Sequence, residues 1–93
     1  MRLRVVRAQQ ADAEIVEIAT YLAEHNPSAA EHFLQDLEKL QDRLAQFPNS
    51  GTPGLIPGTR RLVIGNYIVS YRLQGGSIQI FAVRHGKRQD ARF

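Results

Sequence analysis

An α+β fold, with an N-terminal strand, a helical hairpin and then a three-stranded antiparallel meander, follows from three features of this 93-residue chain. Apolar residues recur with a helical period over residues 11–47 and with a period of two from residue 61 onward. A stretch rich in proline and glycine separates the two regimes, and two glycine-containing turns divide the second into strands.

Residues 3–7 are short, rich in β-branched side chains and bounded by Gln9 and Gln10, which predicts one strand with arginines interleaved. From about Ala11 the spacing changes: Ala11, Ile15, Ile18, Ala19 and Leu22 lie three and four apart. Asp12, Glu14 and Glu17 sit early in that run, where a helix N-terminus favours negative charge, and the helix is expected to stop near His25. Pro27 suits the first turn of a second helix, and Ser28 with Glu31 has the spacing of a capping box. That helix carries the clearest apolar stripe in the chain, through Phe33, Leu34, Leu37, Leu40, Leu44 and Phe47. The stripe covers barely two heptads, so it predicts a core face rather than a coiled coil.

Residues 48–59 contain Pro48, Gly51, Pro53, Gly54, Pro57 and Gly58 and are expected to form a loop without regular structure. Three strands are predicted beyond it, at 61–64, 67–73 and 77–85, joined by tight turns at Gly65-Asn66 and Gly75-Gly76. In the middle strand Tyr67, Val69, Tyr71 and Leu73 alternate with Ile68, Ser70 and Arg72, so one face packs on the helices and the other is partly polar.

The totals bound the possibilities. A chain of 93 residues makes one domain over 1–93, and 43% hydrophobic with 23% charged residues is a globular composition. There is no cysteine, which excludes disulfides and thiolate metal sites. No apolar run is long enough for a signal peptide or a membrane span, so a cytoplasmic protein without membrane contact is expected. His25 and His32 flank the interhelical turn without a second ligand pair and are expected at the surface, and the loop glycines do not form a G-x-G-x-x-G cradle. Neither a metal nor a cofactor is expected.

Charge is strongly polarised. Arg60, Arg61, Arg72, Arg84, Lys87, Arg88 and Arg92 face a single acid, Asp90, whereas the first 59 residues hold Arg2, Arg4, Arg7, Lys39 and Arg43 against eight carboxylates. Such a field predicts an anionic partner, phosphate backbone or acidic protein. Up to six cations from the adjacent strands are expected to line one groove around Arg84-His85-Gly86-Lys87-Arg88. For phosphodiester cleavage the inventory is suggestive: His85 as base or acid, Tyr71 as its partner, and Arg84 or Arg88 as the phosphate clamp. The bland alternative is a solvated basic rim that binds anions without chemistry.

Three stretches carry a family likeness. They are Ala13-Glu14-Ile15 with Ile18, Tyr21, Asn26-Pro27, Ala29-Ala30, Phe33 and Leu37; then Phe47-Pro48 with Gly51 and Pro53; and finally Gly58-x-Arg60-x-Leu62, Gly65-x-Tyr67, Tyr71-Arg72 and Val83-x-His85-Gly86-x-Arg88. With these the chain resembles toxins of the ParE/RelE superfamily of bacterial type II toxin–antitoxin systems. RelE-like members cut messenger RNA on the ribosome; ParE-like members bind DNA gyrase and trap it on cleaved DNA. Ile68 stands where a RelE-like enzyme would place its strand arginine, and Phe93 closes the sequence without a C-terminal tyrosine. The chain departs from the ParE-like pattern too, with Ala82 where arginine is common, Arg84 where an aliphatic is common, and Gln89 between Arg88 and Asp90.

The resemblance therefore implies a gyrase-directed toxin, with a ribosome-dependent ribonuclease and a non-toxic antitoxin-binding relative as alternatives. In the ribonuclease reading His85, Arg84, Arg88 and Tyr71 are catalytic; otherwise no residue is. Target or anion contacts are expected from Arg60, Arg61, Arg72, Arg84, His85, Lys87, Arg88 and Arg92. The implied partner is an antitoxin with an acidic, initially disordered C-terminal segment, which docks on Ile18, Tyr21, Leu22, Phe33, Leu37, Tyr67 and Tyr71 in a hetero-oligomer. Operator DNA is reached only through that antitoxin.

Overall fold

A computed structural model describes residues 2–91. In chain order come β1 (Arg4–Arg7), α1 (Gln9–His25), α2 (Pro27–Gln46), β2 (Thr52–Pro53), β3 (Thr59–Ile64), β4 (Tyr67–Gln74) and β5 (Ser77–His85), followed by a 3-10 turn at Gln89–Ala91. The strands make one sheet in the order β1-β5-β4-β3-β2, with β1 parallel to β5 and the other pairs antiparallel. This is the expected α+β arrangement, strand then hairpin then meander.

The helices lie together on the sheet because each has one apolar stripe. Ala11 and Ile15 from α1 and Phe33, Leu37, Leu40 and Leu44 from α2 meet Ile64, Val69, Tyr71, Ile78, Ile80 and Val83 from the strands. Complete burial of side chains such as Leu44, Ile78 and Ile80 contributes roughly 1.5–3 kcal/mol each. The stripe is narrower than expected: Leu34 is 46% and Phe47 61% exposed, so neither belongs to the core. α1 starts at Gln9, ahead of its apolar stripe.

The turn between the helices depends on Asn26 rather than on a Ser28–Glu31 capping box. Its N–H donates to Leu22 O (2.6 Å), ending α1, and its Oδ1 accepts from Ala29 N (3.3 Å), starting α2. Pro27 occupies the first helical position, where its missing N–H has no partner to lose. Asn26, immediately before the proline, is the cap, and Ser28 lies within the first turn of α2.

Two features of the sheet were not expected. Thr52 and Pro53 form a short edge strand against Arg61 and Arg60, inside the stretch read as irregular. Proline is tolerated there because an edge strand leaves one side of its backbone unpaired. The second is a β-bulge: Ser70 pairs with Ala82 but Tyr71 with Ile80, so Phe81 is the extra residue of β5. The bulge reverses the alternation, so that Ile78 and Ile80 before it and Val83 and His85 after it share a face with Tyr71, Val69 and Tyr67.

The loop before β3 is pinned by Tyr71. Its hydroxyl donates to Pro48 O (2.8 Å) and accepts from Gly51 N (2.9 Å), while Arg60 Nη1 donates to Gly51 O (2.7 Å) and Asn49 O (3.3 Å). A Cβ on Gly51 would lie 2.7 Å from Arg61 O and 2.8 Å from the Tyr71 hydroxyl oxygen, closer than real contacts allow. Gly51→Ala is therefore expected to lower stability by about 1–3 kcal/mol, as a shift in the urea midpoint at constant m-value.

Candidate partner-binding cleft

Beyond the end of β1 the edge of β5 is open, and α1 runs beside it. The last backbone bond of the parallel ladder is Ala8 N–H to Ile80 O (2.9 Å). Three residues further, Val83 N–H is taken by a side chain, Glu14 Oε1 (2.9 Å), and the same carboxylate holds Arg84 Nε through Oε2 (2.7 Å). The pair is largely withdrawn from water, with side-chain exposures of 11% for Arg84 and 15% for Glu14. Arg84 Nη1 then donates to Asp90 O (2.7 Å), and Arg88 Nη2 pairs with Asp90 Oδ2 (2.7 Å).

Between α1 and the ends of β4 and β5 lies a cleft of about 290 Å³. Ile18, Tyr67 and Val83 give it an apolar floor; Glu14 and Glu17 line one wall, and Arg84, His85 and Arg88 the other. Tyr21 stands at the helix side, 58% exposed, its ring 4.3 Å from that of His25. Tyr67 is wedged edge-on between Phe33 (5.3 Å) and His85 (5.4 Å), and its phenol pKa is raised, first by burial and then by the charge of Tyr21. His85 Nδ1 accepts from Lys87 N (3.1 Å), which places the proton of the neutral ring on Nε2.

The expected groove of up to six cations is not formed. Arg84, His85 and Arg88 come together, but Arg60 turns toward the carbonyls of the 48–51 loop and Arg72 stacks on Phe81, 4.3 Å above its ring. Arg61 pairs with Ser70 across the strands and lines a separate hollow with Thr52, Val63 and Ile68. Lys87 is exposed at the turn after β5, and Arg92 lies outside the described residues.

The docking residues divide in the same way. Ile18, Tyr21 and Tyr67 line the cleft and Leu22 is half-buried, whereas Phe33, Leu37 and Tyr71 are core residues that offer no surface, at 4%, 2% and 0% exposure. Tyr71 cannot serve as an acid or base either, since both sides of its hydroxyl are committed to the loop. Glu14 was read as a helix-start acid and as part of the family likeness, not as a residue of the site. Its role as cap of an open strand edge depends on where β1 ends, and nothing in its neighbours in sequence signals that.

Among the described residues no helix is long and apolar enough to cross a membrane. The family model described as "ParE toxin of type II toxin-antitoxin system, parDE" matches residues 5–90. Among curated proteins the chain is similar to "Putative toxin Y4kP" of Sinorhizobium fredii, 33% identical over 95% of this chain and 93% of that one. It is also similar to "Toxin RelE2" of Caulobacter vibrioides, 27% identical over 91% of this chain and 97% of the other. Among solved structures, one titled "Chromosomal ParDE TA system from P. aeruginosa" shares the fold, with a TM-score of 0.79 and 24% identity over 90% of this chain and 96% of the other. The E. coli DinJ-YafQ toxin–antitoxin complex supplies a second fold match, with a TM-score of 0.61 and 15% identity over 91% of this chain and 93% of its counterpart. A match of the family model over residues 5–90 makes this chain a member of the ParE toxin family of type II toxin–antitoxin systems.

Proposed function

We propose that the chain, as one domain over residues 1–93, acts by binding DNA gyrase rather than by cutting RNA, and that a cognate antitoxin neutralises it in a cytoplasmic hetero-oligomer. One observation carries the choice: Tyr71, the strand phenol that a nuclease would need as partner to His85, is fully buried with its hydroxyl used twice in holding the loop. General acid–base cleavage requires two groups within reach of the reacting atoms. The partner that the sequence offered His85 is withdrawn in this way, Ile68 is a buried aliphatic in the place of a strand arginine, and Arg84 already faces Glu14 and Asp90. The RelE name of the Caulobacter vibrioides relative favours the nuclease reading, and these residues oppose it.

Recognition by surface contact fits the site better. The cleft offers an apolar floor suited to apolar anchors, with Arg88 and His85 on one side for acidic groups and Glu14 and Glu17 on the other, and an acidic segment with apolar anchors is how antitoxins of this superfamily engage their toxins. With purified gyrase and plasmid the protein is expected to stop supercoiling and accumulate cleaved DNA. Removing residues 87–93 is expected to abolish this, and His85→Ala to weaken it only as far as the loss of one contact does. Cleavage of a translated message on ribosomes, lost in His85→Ala, would establish the nuclease instead. Titration with the protein encoded beside this gene tests the antitoxin, and absence of a complex would sink that part.

A further inference from the structure

We propose that Glu14 and Arg84 are positioning residues that aim the C-terminal segment, and this rests on the reading that the segment is the part that engages gyrase. Arg84, on β5, bridges α1 and the turn at Gln89–Ala91. Its Nε is fixed by Glu14, which is fixed in turn by Val83 N–H, and its Nη1 holds the main-chain oxygen of Asp90. A guanidinium is a planar fork, so setting the angle at Nε sets the direction in which Nη1 points. The position of Asp90 relative to the sheet is thus referred back to the first helix.

Further contacts show that residues 87–91 are seated rather than trailing. Arg88 N–H donates to His85 O (3.0 Å) and Ala91 N–H to Arg88 O (3.2 Å), forming consecutive tight turns, and Ala91 is 1% exposed. Arg88 closes the arrangement on the Asp90 carboxylate. Direct use of Arg84 on a target anion is disfavoured by the same geometry. Its side chain is 11% exposed and lies against two carboxylates, so an incoming phosphate or carboxylate would meet a compensated charge. The contribution of Arg84 is orientation.

Arg84→Lys separates orientation from charge. Lysine keeps the positive charge beside Glu14 but has one nitrogen, and cannot hold Glu14 and the Asp90 carbonyl in fixed directions together. The variant is expected to keep a cooperative thermal transition with a midpoint lowered by only a few degrees, to be cleaved faster by trypsin after Arg88, and to poison gyrase about tenfold less well, the scale of one charge-assisted hydrogen bond. Asp90→Ala, which leaves the Glu14–Arg84 pair intact, is expected to show the same two functional changes to a smaller degree and serves if Arg84→Lys does not fold. Wild-type poisoning and wild-type proteolysis in whichever variant folds would overturn the proposal. If the native protein is inert toward gyrase yet Arg84→Lys releases the segment to trypsin, positioning stands and the gyrase reading fails.

Discussion

Tyr71→Ala is expected to destabilise the protein by about 3–5 kcal/mol, enough to unfold much of it near 37 °C in a domain of this size. The side chain is 0% exposed at the centre of β4, so truncation opens a cavity among Val69, Ile80 and the helices. It also orphans Gly51 N–H and Pro48 O, which have the phenol as their partner. Tyr71→Phe isolates that second effect and is expected to cost about 1–3 kcal/mol, since buried groups are left unpaired while the volume is kept. Circular dichroism melts of the two variants check both figures. The loop should loosen first, visible as faster amide exchange at Gly51 before any change in the helices.

The same residue gives the fold a dependence on alkaline pH. Burial, the largest influence, raises the Tyr71 phenol above its ordinary 10.0, although the bond from Gly51 and the charge of Arg60 pull the other way. The folded state therefore holds this proton more tightly than the unfolded chain does. Stability from it is complete below 10.0 and declines as pH rises past that value toward the folded pKa. Tyr67 is shifted in the same direction, so Tyr71→Phe should reduce the alkaline decline without abolishing it.

Glu14→Ala is the second large effect, expected at about 3 kcal/mol. Removing one member of an ion pair largely withdrawn from water leaves the other desolvated, and here Val83 N–H also loses its acceptor. Asp90 supplies Arg84 with partial compensation, which places the cost at the lower end of what such deletions produce. The double variant Glu14→Ala, Arg84→Ala should recover part of the loss, because the uncompensated cation goes too. A double-mutant cycle by urea denaturation measures the coupling.

Legibility of the fold followed the strength of each local signal. The α2 stripe, the proline at its start and the Gly65-Asn66 and Gly75-Gly76 turns are all physical constraints on a short span, and each predicted its element. β2 was missed because two residues are too few to show alternation and Pro53 argues against a strand, so it forms only as an edge against Arg60 and Arg61. Asn26 outcompeted Ser28 for the cap through the position of Pro27, a choice that spacing alone does not make. The site was less legible than the fold. His85 and Arg88 were recognised and do meet, but the partners of Arg60, Arg72 and Arg84 are carbonyls, a ring and a helix carboxylate that only the folded chain brings near. Charge totals cannot reveal such internal compensation.

The extra residue in β5 works as a frame change written into the strand. Everything up to Ile80 obeys one parity and everything from Ala82 onward the other, so His85 looks into the cleft only because Phe81 was inserted. Two relatives differing by one residue at this place could agree at almost every later letter and still display opposite sides of their final strand. Comparisons of target choice within the family should therefore be indexed by which way each side chain points, not by its alignment column.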